Sequence, residues 1–181
     1  MKQCLQTEAQ SIYQHGISVR DHMFQLIEML RTGKAQENWK LPDWFWQYRI
    51  QILERLLPDD LIEEYTIYHD CGKPYCLTYD AEGKKHFPNH AQASFDTWLQ
   101  AGGREAAAKL MQMDMMIHTL KANNLDEFIK HPEAITLLLA GLAEIHSNSK
   151  MFGGQDSTSF KIKWNQINKR GKAICQKLFR S

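Results

Sequence analysis

The chain has 181 residues, 43% of them hydrophobic and 24% charged, which is enough apolar sequence to build a core and too much for a disordered chain. A formal net charge of +1 excludes a strong overall attraction to nucleic acid or anionic membrane. The longest apolar run, AITLLLAGLA from Ala134 to Ala143, is too short to span a bilayer, so no membrane partner is expected.

The opening segment MKQCLQTEAQSIYQHG lacks the apolar core and cleavage-like site of a secretory signal. Cys4, Cys71, Cys76 and Cys175 follow neither a disulfide framework nor a four-ligand zinc pattern. Together these features predict reduced thiols and a cytoplasmic location.

Helical periodicity then dominates. ISVRDHMFQLIEMLR places Ile17, Met23, Phe24, Ile27 and Leu30 largely on one face. WFWQYRIQILERLL reads as one helix with Asp43 as its N-cap. PDDLIEEYTIYHD opens with a proline and two carboxylates, a strong helix start, and is ended by Gly72 and Pro74. Residues 72–88 form a long irregular connection in which YDAEGKKHF suits a short hairpin turning at Glu82-Gly83.

Helices resume at NHAQASFDTWLQA, REAAAKLMQMDMMIHTLKA and PEAITLLLAGLAEIHS, and MFGGQDSTS reads as a loop. FKIKWNQINKRGKAICQKLF is a last helix, with an extended start over Phe160 to Trp164 as the alternative. No repeat or composition break appears, so the expectation is a single all-α domain over residues 1–181. Its C-terminal segment, 157–181, carries seven cations and no acid. That segment reads either as a solvated helix face or as a phosphate-binding surface.

Two other features have ordinary explanations. Trp39, Trp44, Trp46 and Tyr48 resemble a base-stacking platform, but large aromatics mostly build cores. Met111, Met113, Met115 and Met116 are core filler in the first instance. Phosphate-binding GxxxxGK[ST], dinucleotide-binding GxGxxG and the GxSxG nucleophile elbow are all missing.

The segment YHDCGKP, residues 68–74, pairs His69 with Asp70 at a predicted helix end. There both side chains can lean on one ion, although neighbours inside a helix diverge by about 100°. A neutral imidazole nitrogen with a hard carboxylate oxygen suits Mn, Fe, Co, Ni or Mg better than structural zinc. Further ligands must come from other helices. His22, His90, His118 and Glu144 each sit beside apolar sequence, where a polar group needs a partner.

These segments resemble the HD superfamily of metal-dependent phosphohydrolases. SVRDHMFQLIEML looks like that family's first-histidine helix and YHDCGKP like its His-Asp signature. GKKHFPNHAQAS is similar to the following segment in the HD domains of tRNA nucleotidyltransferases. MMIHTL and LLAGLAEIHS resemble the two later ligand helices. The resemblance implies a helical bundle with a metal site at its centre. It implies His22, His69 and Asp70 as ligands of one metal, and His90 and His118 as ligands of a second. The family's closing aspartate falls on Glu144, and His146 or Asp114 could take its place.

On this reading Asp70 and Lys73 are the catalytic groups, with Lys73 touching phosphate and Lys85 and His86 covering the substrate alongside Lys84. One or two divalent ions would lower the pKa of a bound water from 15.7 toward about 7. The expected activity is hydrolysis of a nucleotide or RNA-end phosphoester, either a phosphomonoester or a 2′,3′-cyclic phosphate. The alternatives are a 5′-nucleotidase acting on free mononucleotides and a catalytically silent HD module that binds nucleotide or protein. A homodimer through exposed apolar helices stays open.

Overall fold

The computed structural model describes residues 1–7 and 10–180 and is predominantly all-α. Among the described residues, nine α-helices are joined by two short 3-10 turns and two two-stranded hairpins. No helix among the described residues is long and apolar enough to cross a membrane. The chain divides into two compact units: Met1–Arg20 with Pro58–Met115, and Asp21–Leu57 with Met116–Ser181. Each unit draws on two separate stretches, so the division is not a cut into successive domains.

The first unit opens with strands β1 (Leu5–Thr7) and β2 (Gln10–Ser11), paired antiparallel. Helix α1 (Ile12–Thr32) follows at once, five residues earlier than the periodicity of ISVRDHMFQLIEMLR indicates. The cause is a capping box. Ser11 Oγ accepts from the Gln14 N–H at 3.1 Å, and Gln14 Oε1 accepts from the Ser11 N–H at 2.9 Å. Gly16 therefore lies inside the helix, where a Cβ would stand 2.0 Å from the Ile67 carbonyl oxygen. Only glycine lets α1 approach α4 (Asp59–Tyr68) so closely.

Beyond α4 the chain turns through residues 69–72 into a 3-10 turn at Lys73–Tyr75. The expected hairpin is β3 (Thr78–Tyr79) paired with β4 (Lys85–His86), with Gly83 at φ 76° in the turn. Helix α5 (His90–Gln100) is tied back to the turn by Ser94, whose Oγ accepts from the Gly72 N–H at 3.0 Å. Helix α6 (Glu105–Thr119) follows Arg104, which pairs with Asp60 at 2.5 Å and with Glu64.

In the second unit, WFWQYRIQILERLL is not one helix. It forms α2 (Asp43–Gln47) and α3 (Arg49–Glu54), broken at Tyr48. Asp43 is the first helical residue rather than the N-cap, a place taken by Pro42. The break lets both halves find anchors. Trp44 lies against Gly171, where a Cβ would come within 2.4 Å of its ring. Arg49 donates to the carbonyls of Leu30 and Arg31, capping the end of α1 with a cation.

After α7 (Leu125–Phe128) comes α8 (Ala134–Ser147), which is buried from Ala134 through Ala143 and packs on α9 (Thr158–Phe179). Helix α9 is helical throughout, so the extended alternative over Phe160 to Trp164 is not adopted. Ser157 caps it by accepting from the Phe160 N–H at 3.1 Å.

Candidate metal centre

Asp70 is the focus of the first unit. Its side chain is 2% exposed, and four nitrogens approach its carboxylate. His69 Nε2 lies 3.3 Å from Oδ2, His15 Nε2 lies 3.7 Å from Oδ2, and His90 Nε2 lies 3.9 Å from Oδ1. The Lys73 ammonium donates to Oδ2 at 2.6 Å and to Gln6 Oε1, on β1, at 3.0 Å.

The local fold explains this convergence. Helix α4 ends at Tyr68, so His69 and Asp70 occupy the turn that leaves it and both reach the same point. Burial pushes the Asp70 carboxyl up. The positive charge of His69 and of Lys73, the hydrogen bond from His69 and the nearby His15 outweigh it, and the net shift is well down. Asp70 is thus held as a buried anion. Two rings have their tautomers fixed by backbone carbonyls, which can only accept. His69 Nδ1–H donates to the Thr66 carbonyl at 2.8 Å, and His90 Nδ1–H donates to the Phe87 carbonyl at 3.0 Å. A protonated ring turns Nε2–H toward Asp70; a ring made neutral, as ligation of a cation requires, turns a lone pair there instead.

The donor set fits a divalent cation. One nitrogen each from His15 and His69 and one oxygen from Asp70 lie within 4.8 Å of one another. Backbone acceptors behind the ring nitrogens are the usual support of ligating histidines. Two nitrogens and one oxygen suit a first-row transition ion.

The positions expected from the sequence divide as follows. His69, Asp70, Lys73 and His90 are brought together. His22 is not among the groups gathered around Asp70, where the imidazole contributed by α1 is that of His15, seven residues earlier. His22 belongs to the second unit, with its ring 5.6 Å from that of Trp39. His15 was missed because a helix begun at Ile17 leaves it outside. The capping box SIYQ and the stripe Ile12–His15–Val19–Met23 are the signals that find it.

Lys73 is buried, with its ammonium held between Asp70 and Gln6. Lys85 and His86 are exposed on β4, and His86 Nε2 is 2.6 Å from Asp80 Oδ2. His118 and Glu144 meet each other in the second unit at 2.8 Å. Asp114 accepts from the Tyr65 hydroxyl at 2.5 Å in the first. His146 Nε2–H donates to the Lys40 carbonyl at 3.2 Å, with its ring 4.3 Å from that of Trp39. Burial lowers its pKa to about 4, and among these ring neighbours it packs as a neutral core histidine.

Comparison with family models, with curated proteins and with solved structures gave no match.

Proposed function

We propose that this protein is a metal-dependent phosphohydrolase of the HD type, acting on a nucleotide or on a nucleic-acid-end phosphoester. The observation that carries the reading is the buried Asp70 carboxylate with the His15 and His69 nitrogens within 4.8 Å of one another. The resemblance of YHDCGKP and HFPNH to HD signatures supports it.

His15, His69 and Asp70 would hold a divalent ion, which would supply a Lewis acid for a phosphoryl oxygen and lower the pKa of a bound water. The remaining work belongs to side chains. Asp70 stays ionised and presents its oxygens in a fixed direction. His69 and His90, held by the Thr66 and Phe87 carbonyls, cannot rotate without losing those bonds. Lys73, held by Gln6, offsets the carboxylate charge and keeps a cation beside the phosphoester. His90, at 20% side-chain exposure, is the most open of the four nitrogen donors and is placed to meet substrate or a second ion.

The test is metal content by mass spectrometry of the purified protein and of Asp70→Ala. Both are then assayed for phosphate release from a generic phosphoester with added Mn, Co, Ni or Mg. One or two equivalents of metal with activity lost in the variant is the expected result. Absence of both metal and activity under every ion would sink the enzyme and leave a binding module.

A further inference from the structure

The second unit contains a cavity of about 230 Å³ that the phosphohydrolase reading does not use. Its apolar lining comes from Leu120, Ala122 and Leu125 on one side and Ala173 of α9 on the other. Three cations border it: Lys121, Lys169 and Arg170. No acid lines it, and α9 carries none along its length. Asp126, next to Leu125, is already taken by Lys177.

Arg170 is the informative residue. Its Nε donates to the Leu120 carbonyl at 3.2 Å, which fixes the guanidinium at the rim of the cavity. Burial lowers its pKa, and among the described residues no carboxylate pairs with it. A partly desolvated guanidinium is costly without an anion, and its planar fork is suited to a carboxylate or phosphate. Charge complementarity therefore says what fills the cavity: an anionic head at Arg170, Lys169 and Lys121, and an apolar body against Leu120, Leu125 and Ala173.

We propose that this cavity is a binding site for a small anionic amphiphile, a phosphate- or carboxylate-bearing molecule with an apolar body. Neither half of such a ligand suffices. The apolar body alone leaves the guanidinium uncompensated, and a bare anion leaves the carbon-lined cavity unfilled.

The test is an amide-resolved NMR titration of the full chain with phenylphosphonate and with octanoate, beside inorganic phosphate and phenol as the separate halves. The carbon–phosphorus bond of phenylphosphonate resists hydrolysis. Shifts at residues 120–125 and 169–173 report this cavity, while shifts at 69–73 and 90 report the Asp70 centre. At least one amphiphile should saturate the cavity with an affinity ten-fold or more above either half, and the tighter of the two identifies the head group. Arg170→Gln should weaken it about ten-fold, as expected for losing one charge-assisted contact. Lys169→Gln, at an exposed position that folding does not need, should weaken it about two- to five-fold. Equal binding of inorganic phosphate, unchanged binding in Arg170→Gln, or no saturation by either amphiphile overturns the proposal. Asp70→Ala should leave these shifts intact, so the cavity and the metal centre stand or fall separately.

Discussion

Histidines gather at two places in this protein, around Asp70 and around Trp39. At the first, three imidazoles and an ammonium approach one buried carboxylate. At the second, His22 and His146 lie against an indole ring, and His146 also meets Phe160. Burial acts on both but ends differently. His146 is driven neutral, its pKa pushed down to about 4 by desolvation. Asp70 is driven by surrounding positive charge to stay ionised in spite of desolvation. A buried histidine beside rings is packing, whereas histidines around a maintained charge form a group that could hold a metal ion. Residue type does not separate the two cases; the identity of the neighbours does.

The largest test of that contrast is Asp70→Ala. Removing the carboxylate leaves the buried Lys73 ammonium uncompensated, and urea denaturation should show a loss of about 3–5 kcal/mol. Adding Lys73→Met should recover part of it. An unchanged midpoint in the single variant would mean that the charge cluster contributes nothing to the fold.

The second test concerns His146. Its folded pKa of about 4 lies below the ordinary 6.5, so between those values the unfolded chain binds a proton that the folded ring does not. Stability is then full above about pH 6.5 and falls as pH drops toward 4, by about 3 kcal/mol in all. Denaturant midpoints across that window should decline less steeply in His146→Gln than in the parent. Parallel slopes would remove the neutral core reading of this residue.

The third test asks which histidine of α1 belongs to the candidate metal centre. His15→Ala should weaken metal binding about 10- to 100-fold, as loss of a supporting or direct ligand does. His22→Ala should leave it within about two-fold, the noise expected when no ligand is removed. Equilibrium dialysis against Mn or Co measures both, and the reverse order would return His22 to the site. The smallest effect is expected at Ser11→Ala. Loss of one arm of the capping box should cost about 1 kcal/mol. Because His15 lies one turn inside this end of α1, metal affinity should fall with it.

Much of this was legible in the sequence. Helical periodicity gave the α-rich class, and the hairpin of residues 78–86 followed from its turn residues, since Gly83 adopts a positive φ that favours glycine. The pairing of His69 with Asp70 at a helix end was also legible, because Gly72 and Pro74 mark that end locally. The WFWQYRIQILERLL segment misled because the break at Tyr48 comes from distant partners. Trp44 is seated on Gly171, and Arg49 caps the carbonyls that end α1.

The sequence by itself therefore determined what is set by nearest neighbours: element type, turn positions, and an adjacent His-Asp pair able to share a point. Tertiary structure decided what depends on approach between segments far apart in the chain. Gly16 lets α1 close on α4, Ser94 ties α5 to the turn after Asp70, and Gln6 reaches Lys73 from β1. Those contacts bring His15 and His90 to the carboxylate. A sequence separation of 55 residues between His15 and Asp70 carries no distance until the backbones that hold them are packed.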